Sequence, residues 1–372
     1  MKNQLFGAVL AGSVALAGLQ AGAQIRAAPG VPPAHPSYSH TYVPFLDYIQ
    51  EESDGALSAT IVGPEVVNLA QMRDALHSEL AQVGLLLPLY FPADLPYMST
   101  AAEVALIGVN PHAMASALSE YIVTCEPCQE ELREFGIVYL GSGSTNTYHF
   151  LTTRPVESVS DLDGLRLRSG GAPWSRWAEH VGAVAVNLPV GETFEALSQG
   201  TIDGTMTSLA DLLSFRLVEL ATHINTMEMG TYHATSNFTV TQTTWNGLSA
   251  EDRAAFARAA NRANADMTQR WAFEMTDMAV AAAEEAGIIF TDPAPDLVEA
   301  FAEFAVADTQ TVAELSAERF GLDDAPEQVA RFMELVEKWD AIVEEIGPDA
   351  PAIAARVQEE VWDHVDFATY GQ

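Results

Sequence analysis

The stretch Ser160–Asp211 reads SDLDGLRLRSGGAPWSRWAEHVGAVAVNLPVGETFEALSQGTIDGTMTSLAD, and its reading decides the fold. Ser160 to Gly164 is a short capped turn. Leu165 to Arg168 alternates apolar and basic side chains, the period of a strand. Gly170-Gly171 breaks that strand, and Pro173 opens a helical pattern that runs to about Val181. Ala183 to Asn187 reads as a short strand, followed by Pro189 and a helix over Glu192 to Gln199. Gly200 to Gly204 then turns the chain into another strand. Strands alternating with helices at this spacing predict an α/β fold built on layered sheets.

Arg168 is the side chain of this stretch best placed for binding. It ends a strand just before a glycine pair and a helix start. Ligands of α/β proteins gather beside strand ends and helix N-termini. Its planar guanidinium matches a carboxylate through two parallel hydrogen bonds. Gly170 and Gly171 would let a ligand approach backbone N–H groups. Arg166 alternates with Arg168 and so points to the opposite face, which makes it structural or exposed.

Outward from this stretch the same order continues. Gln24 to Pro36 is rich in Pro and Ala and is read as a crossing over a surface or cleft mouth. A helix is expected over Ser37 to Glu52, a strand over Leu57 to Val62, and a helix capped by Asn68 that runs to about Gln82. Val83 to Leu89 is a continuous apolar run, as in a buried parallel strand. Helices are expected over Ala101 to Glu120 and Glu126 to Phe135, and strands near Gly136 to Leu140 and Thr147 to Thr153. Ser249 with Asp252 resembles a helix N-cap, and no Gly or Pro occurs from Leu248 to Glu285. That helix, to about Ala286, is long enough to span two lobes. Helices near Leu297 to Phe320 and Ala325 to Ile346 complete the chain.

The 372 residues are 48% hydrophobic, enough for two ordinary domains. The net charge is −34, from 17 basic and 51 acidic side chains. Such a balance lacks the basic footprint of nucleic-acid binding and disfavours direct binding to anionic lipid. It also repels anions at long range, so an anion site must be built from a few local donors. Lys2, the apolar run Leu5 to Leu19 and the small residues Ala21-Gly22-Ala23 predict a signal peptide cleaved near Ala23, hence a periplasmic protein. Cys125 and Cys128, in a C-x-x-C spacing, are read as a local disulfide of an exported chain. No enzyme motif appears: Gly141 to Thr145 lacks the spacing of a nucleophile elbow, and there is no Walker loop and no H-E-x-x-H. The reading is therefore not an enzyme, with no cofactor and no metal site.

The passage 160–211 resembles the substrate-binding subunits of tripartite ATP-independent periplasmic (TRAP) transporters, the dicarboxylate-binding type. The matching residues are Asp161, Leu162, Gly164, Leu165 and Arg168, then Gly182-Ala183, Pro189, Glu192, Phe194, Ala196-Leu197, Gly200 and Asp203-Gly204. The resemblance implies a two-lobed periplasmic binding protein fold that closes over a small organic anion, with the late helix bracing both lobes. It implies that Arg168 pairs with the ligand carboxylate. It also implies a small and a large integral membrane subunit as partners, and uptake driven by an ion gradient. The lobes are expected at 24–146 with about 233–272, and at 147–232 with about 273–372.

Further ligand contacts are expected at Tyr148, Thr207, His35, Tyr90, Gly171, Trp174, Val190, Tyr232 and His233. Sialic-acid-binding relatives carry a second arginine near position 148, where this chain has Asn146-Thr-Tyr-His149, so their two-arginine site cannot be copied. The expected ligand is a mono- or dicarboxylate, with a sulfonate as the runner-up. A binding protein for an ABC importer or a sensor kinase, and a secreted enzyme, are the rival readings.

Overall fold

A computed structural model describes residues 24–372. The expected signal peptide and its cleavage near Ala23 lie outside the described residues. The strands are β1 (Gln24–Ala28), β2 (Ser58–Ile61), β3 (Val83–Leu86), β4 (Ile137–Tyr139), β5 (Tyr148–Thr152), β6 (Arg166–Ser169), β7 (Val184–Asn187), β8 (Gly204–Ser208), β9 (His223–Asn225), β10 (Ser236–Thr241) and β11 (Ile289–Thr291).

They form two sheets, one per lobe. The first has the order β2-β1-β3-β10-β4 and the second β11-β9-β5-β8-β6-β7. In the first, β1 runs parallel to β2 and β3, and β10 returns antiparallel between β3 and β4. In the second, β6 runs parallel to β7 and β8, while β5 is antiparallel to β8 and β9. The expected two-lobed α/β architecture is therefore present.

The chain crosses between lobes after β4 and again before β10, and the two crossings pair with each other. Tyr148 N–H donates to Gly230 O at 2.7 Å, Thr145 N–H to Tyr232 O at 3.2 Å, and Asn237 N–H to Gly141 O at 3.1 Å. Gly230 sits in this ribbon at φ +73°, with the backbone of Ala105 and Leu106 where a Cβ would go. A side chain there would be both strained and blocked. The ribbon places Tyr148 and Tyr232 at the junction of the lobes.

The third connection is the long helix. It runs as Ala250–Gln269, a π-helical turn over Arg270–Glu274, and Met275–Ala286. Ser249 caps it as expected, its Oγ accepting from Asp252 N–H at 3.1 Å. Its first half packs on helices Val43–Glu52 and Ala350–Glu360, and its second half on Asp211–Ser214 of the second lobe. The π-helical turn between the halves carries Trp271.

Several elements differ from expectation. Gln24–Ala28 is an interior strand of the first sheet rather than a surface crossing; only the following Gly30, Val31 and Pro32 line the cleft mouth. The helix expected over 101–120 is two helices, Pro96–Glu103 and Pro111–Thr124, because Gly108 to Pro111 cannot continue one. Helix Ala325–Ile346, expected with the second lobe, packs on Pro111–Thr124 beside the first sheet. Glu120 holds it there, accepting from Lys338 Nζ at 2.9 Å and Trp339 Nε1 at 2.7 Å. Among the described residues no helix is long and apolar enough to cross a membrane. Cys125 and Cys128 form a disulfide, with Cα atoms 5.2 Å apart, at the start of helix Glu126–Phe135.

Candidate functional site

The two sheets face each other across a cavity of about 30 Å³, lined by Val31, His35, Leu69, Leu85, Leu87 and Tyr90 from the first lobe. Tyr148, Arg168, Val190, Asp211, Phe215, Tyr232, Thr235 and Trp271 line it from the second lobe and the connections. A wider groove of about 220 Å³ adjoins it, sharing Val31, Leu69 and Phe215, and opens between Gly30–Pro32 and Pro189–Glu192. Ligand pockets usually hold roughly 300–1,000 Å³. An organic acid can enter the inner cavity only if the lobes part.

Arg168 ends β6 and is 1% exposed. Its Nε donates to Leu188 O at 3.0 Å and its Nη2 to Tyr90 Oη at 3.3 Å. Nη1 is buried with no partner among the described residues. The fork thus meets a carbonyl and a phenol, and three of its five N–H groups remain to be used. A buried charge in that situation costs free energy until an anion meets it. Arg166 is paired away, as expected, donating to Asp203 Oδ1 at 2.7 Å and Oδ2 at 3.0 Å.

Other donors converge on the same space. Tyr232 Oη and Trp271 Nε1 are buried without partners among the described residues. Burial holds the Tyr148 and Tyr232 phenols well above their usual pKa, so both stay protonated. His35 Nδ1 accepts from Ser37 N–H at 3.1 Å, which leaves Nε2 as the protonated nitrogen. Its ring lies edge-on to Trp271, with centroids 4.6 Å apart, and burial lowers its pKa to about 3. It is a neutral donor.

Among the described residues the cavity has a single buried carboxyl, Asp211. It accepts from Ser214 Oγ at 2.9 Å and from Thr207 Oγ1. Burial raises its pKa, while the two hydroxyls and the charge of Arg168 pull it down. Asp211 closes the very stretch that decided the fold, yet nothing in the sequence marks it, because Ser-Leu-Ala-Asp reads as an ordinary helix start. Trp271 and Phe215 were missed for a similar reason: the π-helical turn and the lobe packing bring them in.

Of the expected contacts, His35, Tyr90, Tyr148, Arg168, Val190 and Tyr232 are gathered in the cavity. Four are not. Thr207 lies behind Asp211 and orients it. Trp174 lies behind Tyr148 and Tyr232, tilted against the first at 4.5 Å and stacked on the second at 5.7 Å, with Nε1 donating to Met229 O at 2.9 Å. His233 faces away into the first lobe, stacked on Phe332 at 5.4 Å. Gly171 faces the other lobe, where a Cβ would come within 2.8 Å of Leu89 Cδ1.

The buried histidines set an acid limit on stability. Burial lowers His35 to a pKa of about 3, and His149 and His233 to about 4. The unfolded chain takes up these protons near pH 6.5 and the folded chain does not. Stability from this source is complete above pH 6.5 and falls by about 1.4 kcal/mol per histidine per pH unit on acidification toward pH 4. Denaturation midpoints from pH 7 to pH 4.5 are expected to drop steeply, and less steeply in His233→Gln. An equal slope in that variant would refute the assignment.

The family described as bacterial extracellular solute-binding protein, family 7, matches residues 28–314. A solute-binding protein of Albidiferax ferrireducens is 25% identical over 197 residues, covering 50% of this chain and 55% of that one. The chain thus spans about half the length of this curated relative. A marine metagenome TRAP solute binding protein specific for aromatic acid ligands, solved with 3-hydroxybenzoate, has a TM-score of 0.76 at 21% identity, covering 86% of this chain and 99% of that one. A TRAP periplasmic solute binding protein of Bordetella bronchiseptica, solved with (R)- and (S)-mandelate, has a TM-score of 0.72 at 23% identity, covering 85% and 99%. These likenesses establish the fold.

Proposed function

From the premise that this chain belongs to the bacterial extracellular solute-binding proteins of family 7, we propose that it captures a small organic carboxylate in the periplasm for a TRAP transporter. The observation that carries the reading is the buried Arg168 fork, whose Nη1 has no partner among the described residues. A carboxylate docked on Nη1 and Nη2 would complete it through charge-assisted, parallel hydrogen bonds. Tyr232 and Trp271 would supply further donors. The organic acids in the two solved structures of the same fold support this ligand class. The walls of Val31, Leu85, Leu87, Val190 and Phe215 favour a compact apolar body.

The bodies that close are, in this reading, the first sheet with the C-terminal helices and the second sheet with β11. Tyr90 is the latch. It reaches from the first lobe and accepts from both Arg168 Nη2 and Val190 N–H, the latter at 3.1 Å. Closure excludes water and strengthens the contacts to the anion. The closed form is then offered to a small and a large membrane subunit, without chemical turnover.

A thermal-shift panel of organic acids tests the ligand class. Saturation at about 100 times Kd should add roughly 2.7 kcal/mol of stability. If no carboxylate in a broad panel moves the melting point, the reading is wrong. Closure has its own test at Gly171. Gly171→Val places side-chain atoms against Leu89 across the cleft. Overpacking costs about 1–3 kcal/mol, so Kd should rise roughly 5- to 150-fold, chiefly through faster release. An unchanged off-rate would refute closure at this contact.

A further inference from the structure

We infer that the ligand carries a hydrogen-bond donor, a hydroxyl or an amine, beside its carboxylate, and that Asp211 reads it. The inference rests on the proposed capture of a carboxylate at Arg168 and narrows it. Among the described residues the site holds one cation, several neutral donors and one carboxyl, all lining one small cavity. Each Asp211 oxygen already accepts one hydroxyl, from Ser214 or Thr207. A carboxylate oxygen can accept two, so each keeps one acceptor position. The hydroxyls also fix the carboxyl in place on the helix start, so it is a positioned group rather than a mobile charge.

The chemistry then discriminates among acids. A bare monocarboxylate satisfies Arg168 and leaves the buried Asp211 facing carbon. A dicarboxylate brings a second negative charge to a site whose only guanidinium is already engaged, and sets it against Asp211. A hydroxy acid donates its hydroxyl to Asp211 while the same oxygen accepts from Trp271 Nε1 or His35 Nε2. An amino acid places its ammonium against Asp211 and leaves the closed site balanced in charge. Both supply the donor that Asp211 requires. Their common feature is a carboxylate with an adjacent N–H or O–H.

The test is calorimetric binding to matched acids: a 2-hydroxy acid, the 2-amino acid, the unsubstituted acid and the dicarboxylate of the same carbon skeleton. The wild-type protein should prefer the hydroxy or amino acid over the unsubstituted one by roughly 10- to 100-fold, the range of a hydrogen bond to a charged group. In Asp211→Asn that preference should fall to within a few-fold, and the penalty on the dicarboxylate should shrink. Which of the two donors binds more tightly identifies the source. Equal affinity for substituted and unsubstituted acids would overturn the inference and leave carboxylate capture standing. Binding of none of the four, or of any wider set of carboxylates, would overturn carboxylate capture itself. If Asp211→Asn fails to fold, the wild-type ratios alone still decide.

Discussion

Arg168→Ala is expected to lose affinity for the carboxylate ligand by roughly 30- to 5,000-fold, equivalent to about 2–5 kcal/mol for truncating one partner of a buried, hydrogen-bonded charge pair. The physical ground is the absence of any substitute. Among the described residues Arg168 is the only arginine lining the cavity, and the remaining donors there are neutral. Arg168→Lys should recover only part of the loss, because an ammonium carries the charge without the planar fork. The ligand-free protein should behave differently. Arg168→Met keeps much of the side-chain volume and removes a buried charge whose Nη1 has no partner among the described residues. Its denaturation midpoint should hold or rise while binding is lost. A drop of several kcal/mol in the ligand-free variant would mean that Arg168 serves the fold rather than the ligand. Unchanged affinity in Arg168→Ala would remove it as the anchor.

Legibility in the sequence followed the physics of each element. The run Leu165 to Asn187 declared its strands and helix through local periodicity, and Arg168 through its place at a strand end. β10 was invisible because its code is not local. Ser236–Thr241 is fully buried but two-thirds polar, and Thr239 Oγ1 satisfies itself on Ser236 O at 3.0 Å and Ser236 Oγ at 2.7 Å. β9 and β11 span only three residues each, too short for a period to register. β1 was masked by the proline-rich segment that follows it. His233 shows the limit for site residues. Its position near the crossing was legible, but which face of the ribbon it took was decided by Phe332, about a hundred residues on. Asp211 and Trp271 likewise become site residues only when two distant segments meet.

Arg176→Met is expected to lower folding stability by about 3–5 kcal/mol, the largest effect away from the cavity. Arg176 sits on helix Ala172–His180 of the second lobe, one turn behind the glycine pair. Its Nε and Nη2 grip Asp308 at 2.6 and 2.8 Å, and its Nη1 reaches Glu103 at 2.5 Å. The three side chains are 13%, 4% and 6% exposed, so solvent screens them little. They tie three elements together: the helix beside the site, helix Pro96–Glu103 of the first lobe, and the long helix Pro295–Phe320. Removing the arginine strands two buried carboxylates side by side. Removing all three charges does not, so Arg176→Met combined with Glu103→Gln and Asp308→Asn should recover much of the loss, the non-additivity expected of one network. Urea denaturation of the single and triple variants decides it. If the triple variant is as unstable as the sum of its parts, the cluster is three independent contacts. If it recovers, the charges are a matched set that fixes how the helix behind Arg168 docks on the opposite lobe, and the aim of the anion-binding fork depends on it.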